Sequence, residues 1–598
     1  MNDSRDLKIL YLFGIIPCIW LGLIISPYIN GGLVEIVKGF SISMENPFML
    51  SFNENSIKTI LILIGIYLLC IAVYDSSKRN YRINEEHGSA KWGNVYSLNK
   101  KYSDNPKEGN KIMTQNIRIG LNTKKHKRNL NTIVVGGSGS GKTLFYVVPN
   151  LLQANSSYFV LDPKGEILRM TGTYLESKGY EIKVLDLVHP NLSHCYNPFN
   201  YLNTNRDVAR LVENLFTSLN EGDNKSTDPF WDEAAKMFLM SLVYLIRDEA
   251  PEYERNPGLI PELIRAGAIN GDDENYESAL EILINRLALI NPNHPAVIYY
   301  KNYRIAASKT MKSVAITLAS KLKDFNDEDI IKLTMTDELD LKSLGRKKVA
   351  IYAIISDADS SMDFLMTTLY TQMFQVLYDL ADYEYGGRLP VPVEFIMDEF
   401  ANVSIPKDFE RKVATMRSRG ISVSIILQGL SQISKKYEKI WEIITGNCDE
   451  FLYLGGNEQY THEYISKIIG KETIDTLSDS KSSGSRGGFS TNHQVQGREL
   501  MQASEVRLLD NKKAIFLLKG ERPVMDFKFN IFKSKDLDKT SLGKGKEYIH
   551  GKVNKDKGII TLNYEGQTFE KQETKINMED TGFELVSSEE LEKIYKED

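Results

Sequence analysis

Thr132-Ile-Val-Val-Gly136-Gly137-Ser138-Gly139-Ser140-Gly141-Lys142-Thr143 decides how the rest of this 598-residue chain is read. A short apolar run of strand character opens directly into G-x-x-x-x-G-K-T, and the residues beyond it continue as a helix. In that context each position has a task around a triphosphate. Gly136, Gly137, Gly139 and Gly141, with Ser138 and Ser140 between them, let backbone N–H groups close on the β-phosphate. Lys142 reaches the β and γ oxygens, and the Thr143 hydroxyl holds Mg²⁺ at the positive end of the helix. ATP with Mg²⁺ is the expected pair of ligands.

Such a loop needs an acidic strand end as its counterpart. Val393-Glu-Phe-Ile-Met-Asp398-Glu399 is an apolar run that closes on two carboxylates. Asp398 is expected in the Mg²⁺ shell and Glu399 beside the attacking water. Gln428 ends the next strand, Ser422-Val-Ser-Ile-Ile-Leu-Gln428, where its amide is suited to sensing the γ-phosphate or that water. Arg417 and Arg419 precede this strand, and either is a candidate arginine finger reaching a neighbouring subunit's nucleotide. Two further runs carry less. Asp162-Pro-Lys164-Gly-Glu166 closes another strand and reads mostly as a turn, and Lys124-Lys-His-Lys-Arg128 reads as a solvated basic turn before it reads as a phosphate or headgroup contact.

Composition narrows the class. With 42% hydrophobic and 25% charged residues the chain is an ordinary globular mixture, and its net charge of -6 excludes a uniformly basic nucleic-acid coat while leaving room for a local basic channel. Cys18, Cys70, Cys195 and Cys448 form no CxxC pair, so neither a zinc site nor a disulfide framework is indicated. Two apolar segments, 7–29 and 57–74, are each expected to cross a bilayer, the first with Lys8 near its end and Trp20 and Tyr28 as interfacial anchors. No small-x-small cleavage site follows the first, which argues for an anchor over a removed signal peptide. Lys78, Arg79 and Arg82 follow the second, so the positive-inside rule places everything after about residue 75, and both termini, in the cytoplasm.

Further along, strands and helices alternate in the manner of one parallel-sheet nucleotide domain, interrupted by a block of helical periodicity. The expected divisions are 1–80 as a membrane anchor with two transmembrane helices, 81–205 as the first part of the nucleotide domain, 206–344 as an all-α insertion, 345–540 as the second part, and 541–598 as an acidic tail. Ser482 to Gly488 (SSGSRGG) reads as a loop, and the tail is most acidic from Met578 onward.

In this order, Glu86-His-Gly-Ser-Ala-Lys-Trp92-Gly, the Gly136 to Thr143 loop, Asp162-Pro-Lys-Gly-Glu166, Tyr196-Asn-Pro-Phe199, Asp228-Pro-Phe-Trp-Asp232, Asp398-Glu399, Met416-Arg-Ser-Arg-Gly420, Gln428 and Gly497-Arg-Glu-Leu500 resemble the type IV coupling proteins, the TraG/TraD-like ATPases of conjugation and type IV secretion. The resemblance covers most of the chain. It implies an α/β, RecA-like P-loop motor in the inner membrane, assembled as a homo-hexamer around a central channel. It also implies that the all-α insertion receives a relaxase with its single-stranded DNA for delivery to the secretion channel, and that Arg417 rather than Arg419 is the trans-acting arginine. Two rivals remain at this stage. A double-strand DNA translocase of the FtsK or HerA kind predicts a DNA-reading C-terminal module where this chain has an acidic tail, and a docking receptor that binds ATP with little turnover is separated only by hydrolysis.

Overall fold

A computed structural model describes residues 11, 13–77, 85–219, 229–268, 277–305, 308–356, 361–403, 406, 408–481, 489–535 and 537–551. Lys8, Lys78, Arg79, Arg82, Asp228, the 482–488 loop and the acidic tail from Met578 lie outside these residues. The chain divides into two units, Met1–Glu86 and His87–Asp598.

In the first unit the helix Ile15–Ile25 gives way to a 3₁₀ turn over Ser26–Gly31, and a second helix runs Gly32–Ser43. Pro27 explains the change. Lacking an N–H, it cannot pair with the Leu23 carbonyl, which instead accepts from the Ser26 hydroxyl at 3.1 Å. The apolar run expected over 7–29 is therefore interrupted. Among the described residues one helix, Ser56–Tyr74, is long and apolar enough to cross a membrane, and Ile15–Gly31 is apolar but shorter. The two pack closely at Gly22, where a Cβ would come within 2.6 Å of the Ile60 side chain. The opposite side of the longer helix leaves Ile57, Leu61 and Leu69 exposed.

In the second unit a small hairpin, β1 (Asn110–Ile112) and β2 (Arg118–Gly120), precedes β3 (Thr132–Val135), β4 (Ser157–Asp162), β5 (Glu181–Asp186), β6 (Val349–Ile354), β7 (Val393–Met397), β8 (Ile421–Leu427) and β9 (Glu450–Tyr453). A long hairpin, β10 (Lys471–Lys481) and β11 (Phe489–Glu499), follows, then β12 (Lys513–Leu518) and β13 (Val524–Phe527). Nine of these form one sheet in the order β13-β12-β9-β3-β8-β7-β4-β6-β5. The strands from β9 to β5 are parallel. Continuous apolar runs such as Thr132–Val135 and Val393–Met397 suit strands covered on both faces, and every residue of each is buried.

The expected parallel sheet is extended at one edge by two antiparallel strands, β12 against β9 and β13 against β12. Between β9 and β12 the chain forms the helix Gln459–Ile469, the β10–β11 hairpin and the short helix Ala503–Arg507. β12 first pairs opposite the residue at which β9 ends and runs back along it, and a tight turn returns β13 beside β12. An apolar run marks burial and carries no sign of direction.

Side chains alternate between two cores. Ile133, Val135, Phe159, Leu161, Phe395 and Met397 face one side, where they join Phe374 and the helical residues Leu211, Phe216 and Phe238. Val134, Tyr158, Val160 and Ile396 face the other, with Tyr146, Leu151, Leu168 and Leu175. Between β5 and β6 the described residues hold helices and no strand, from Asn205–Leu219 through Pro229–Glu249 to Glu328–Met335. One polar group crosses the second core. Lys111 on β1, 1% exposed, places Nζ 3.1 Å from Glu394 on β7 and 3.7 Å from Glu450 on β9, and donates to the Thr132 hydroxyl at 2.8 Å. Ser424 of β8 donates to Glu394 and meets the Tyr146 hydroxyl, both at 2.8 Å.

Candidate active site

Parallel strands of an open sheet end in a crevice, and the strand order decides which residues meet there. Because β3 neighbours β8, and β8 neighbours β7, the loop after β3, Gln428 after β8, and Asp398-Glu399 after β7 emerge along one edge. The loop is moored to both strands beside β3: Gly136 N–H donates to the Leu427 carbonyl at 3.0 Å and Gly137 N–H to Gly455 at 2.9 Å. Gly139 and Gly141 have φ of 73° and 84°, a region that strains any residue with a Cβ. The amides of Gly139, Gly141 and Lys142 donate to no backbone carbonyl among the described residues. Beyond Thr143 the helix opens wide, as a π turn over Thr143–Val147, just before Pro149 removes an N–H from the ladder.

The side chains converge. Lys142, 8% exposed, donates to the Gly136 carbonyl at 3.0 Å and lies 3.5 Å from Glu399 Oε1. Thr143 Oγ1 donates to Asp398 Oδ2 at 3.3 Å. Gln428 Nε2 stands 3.1 Å from each Glu399 oxygen. Glu399 has φ of 51° and its N–H donates to Asp398 Oδ1 at 3.1 Å, a left-handed turn that swings the two adjacent carboxylates apart. Burial, and next the charge of Glu399, push the Asp398 carboxyl up to about 6, against the pull of Lys142.

This set suits a nucleoside triphosphate with a divalent cation. Unpaired loop amides and a buried Ser140 hydroxyl with no partner offer donors, and a raised carboxyl beside a hydroxyl is a place where a cation lowers the cost of charge. No group of three or more His, Cys, Asp or Glu able to hold a metal occurs among the described residues. A cation held by Thr143 and Asp398 would take its other ligands from phosphate and water, as Mg²⁺ does.

Other residues singled out in the sequence go elsewhere. The helix Phe409–Arg419 leads straight into β8, so Arg417 and Arg419 lie at the sheet edge opposite the phosphate loop. Arg419 grips Asp382 at 2.6 and 3.1 Å and stacks 4.2 Å over Tyr378. Arg417 touches the Thr123 carbonyl at 3.0 Å and lines a cleft of about 470 Å³ with Lys127, Asn129, Asp449 and Lys519. The basic run is largely paired: Lys125 and His126 meet Asp104 at 2.6 and 3.0 Å, and Arg128 stacks 4.5 Å over Tyr102. Asp162 accepts the Leu168 N–H at 2.8 Å, satisfying one free amide in the first turn of the helix Glu166–Ser177, whose N-cap is Gly165. One residue the sequence reading missed does reach the loop. Lys528, just past β13, donates to the Ser140 carbonyl at 2.9 Å.

Residues 86–555 match the family model described as type IV secretory system conjugative DNA transfer. The chain is similar to protein VirD4 of Rhizobium radiobacter, at 26% identity over 406 residues, which is 66% of this chain and 56% of that protein. It is also similar to the conjugal transfer protein TraG of Escherichia coli, at 23% identity over 480 residues and 74% of each. The chain thus spans little more than half of the VirD4 it matches. In fold it is similar to the bacterial conjugative coupling protein TrwB without ligand (TM-score 0.51, 14% identity, 76% of this chain and 97% of that one). It is likewise similar to TrwB in complex with the non-hydrolysable ATP analogue ADPNP (TM-score 0.52, 13% identity, 73% and 93%).

Proposed function

We propose that this chain, which belongs to the type IV secretory system conjugative DNA transfer family, is the ATP-hydrolysing coupling protein of a type IV secretion channel. The observation that carries the reading is the meeting of Thr143 with Asp398, and of Lys142 with Glu399, across the intervening β8. In this reading the amides of Gly139, Gly141 and Lys142 and the Lys142 ammonium bind and orient the β- and γ-phosphates, and Thr143 and Asp398 would hold Mg²⁺. The ion supplies neutralisation of the charge that develops on the transferred phosphoryl group. Glu399 accepts a proton from the attacking water, and Gln428, bonded to both its oxygens, keeps that carboxylate turned toward its task. A nucleotide-bound TrwB structure supports ATP as the ligand.

The finer parts of the proposal follow from the same family. The chain is organised as a 1–80 inner-membrane anchor of two transmembrane helices with both termini cytoplasmic, a RecA-like domain of 81–205 with 345–540, an all-α insertion over 206–344, and a tail over 541–598. It assembles as a homo-hexamer. The insertion receives a relaxase with single-stranded DNA, and Arg417 completes the neighbouring subunit's nucleotide site. The helices between β5 and β6 and the place of Arg417 at the opposite edge support this. The purified chain is expected to show DNA-stimulated ATPase activity. Lys142→Ala should abolish nucleotide binding, and Glu399→Gln should retain binding while turnover falls by about a hundredfold or more. Turnover persisting in both variants rejects the site, and binding without turnover in the parent chain favours a docking receptor.

A further inference from the structure

The antiparallel edge of the sheet delivers a residue to the phosphate loop from nearly four hundred positions away. Two reversals of direction leave β13 pointing the same way as β3, so the chain leaves β13 at the edge where the loop lies. Lys528 is the first residue past that strand. Its backbone is fixed on both sides, with its N–H on the Lys512 carbonyl and the Phe527 carbonyl accepting from Gln115, each at 2.8 Å. Lys528 is 6% exposed. Its ammonium donates to Ser140 O at 2.9 Å and Asn511 Oδ1 at 3.3 Å, and sits 5.6 Å over the Phe145 ring.

The peptides on either side are held locally, by the Ser140 N–H on the Gly137 carbonyl at 3.1 Å and by the Gly141 carbonyl accepting from Phe145 N–H at 2.8 Å, whereas the Ser140–Gly141 peptide itself, ahead of a glycine with positive φ, is held through its carbonyl by Lys528. In a trans peptide the C=O and the following N–H point in opposite directions. A cation holding Ser140 O therefore aims the Gly141 N–H, which has no backbone partner, away from Lys528. We propose that Lys528 is a positioning residue of the phosphate loop, setting the Ser140–Gly141 peptide so that its amide is presented to the nucleotide phosphates. Burial draws the Lys528 ammonium down to about 8, against the pull of Asp510, as expected for a cation kept beside the loop and out of water. The inference rests on the nucleotide-site reading above.

The test is Mg-ADP titration of the detergent-solubilised full chain, with thermal melts of the nucleotide-free protein alongside. Lys528→Met should weaken Mg-ADP binding on the order of tenfold, the effect of losing one charge-assisted hydrogen bond. Lys528→Arg should recover most of the loss, and the melting temperatures of the two variants should agree. Unchanged affinity in Lys528→Met overturns the inference, as does equal weakening in Lys528→Met and Lys528→Arg. Should Lys528→Met fail to fold, Lys528→Arg and Lys528→Gln are compared: tighter binding by Arg supports the role and equal binding overturns it. Absence of Mg-ADP binding in the parent chain overturns the ATPase reading and this inference together. Normal parent binding that Lys528→Met leaves intact overturns this inference alone.

Discussion

The two edges of the parallel sheet are built in opposite ways. At one, Thr143 bonds Asp398, Lys142 faces Glu399 and Gln428 bonds Glu399, with Lys142 and Asp398 buried. At the other, Arg417 and Lys519 line an open cleft of about 470 Å³, and Arg417 holds a single backbone carbonyl at 3.0 Å. The first edge is preorganised, with charge placed where water is scarce and its effect is large. The second keeps an arginine in reserve. In the assembly proposed above, the open edge of one subunit would face the preorganised edge of the next.

Three measurements bear on that contrast. Arg417→Ala should leave nucleotide binding intact while hydrolysis by the assembled protein falls by about a thousandfold, in the range of lost arginine fingers. Mixing Arg417→Ala with Lys142→Ala subunits should restore part of the rate, since each supplies what the other lacks. No restoration in mixed assemblies would place the arginine's role within its own subunit and remove the division. A smaller effect is expected at the preorganised edge, where Gln428→Ala should lower kcat by about tenfold at unchanged KM, because it releases the orientation of Glu399 alone. A rise in KM with steady kcat would instead make Gln428 a binding residue.

The third concerns the cost of preorganisation. Asp398 is raised from 3.8 to about 6 in the folded chain. Its neutral form is thus favoured by folding, and its ionised form costs stability that appears as pH climbs through roughly 4 to 6 and persists above. A shift of this size corresponds to about 3 kcal/mol. Melts of the nucleotide-free chain at neutral pH should find Asp398→Asn more stable than the parent, with the gap closing toward pH 4, while Mg-dependent nucleotide binding weakens. An Asn variant no more stable at neutral pH would show that the empty crevice carries no such penalty.

Much of the preorganised edge was legible in the sequence, because each element combines a buried apolar run with chemistry at its end: Val135 leads into the loop, Met397 into Asp398, Leu427 into Gln428. The helical stretch after β5 was legible from its periodicity. The direction of β12 and β13, the β10–β11 hairpin and the place of Lys528 were not. Local pattern records how deeply a residue is buried and is silent on which strand pairs with it, so a lysine in Phe527-Lys528-Phe529 looks like any solvated cation until two chain reversals bring it beside Ser140. The break at Ser26-Pro27 was visible in composition, but the apolar residues around it outweighed it.

Lys111 also bears on how this protein can be cut. It belongs to the stretch before the phosphate loop, yet it is the counter-charge for Glu394 and Glu450 in the interior. A shortened version starting at residue 131, just ahead of the loop strand, would strand two carboxylates in an apolar core with no cation to answer them. Any soluble fragment meant to work as an engine should begin no later than the hairpin that carries this lysine.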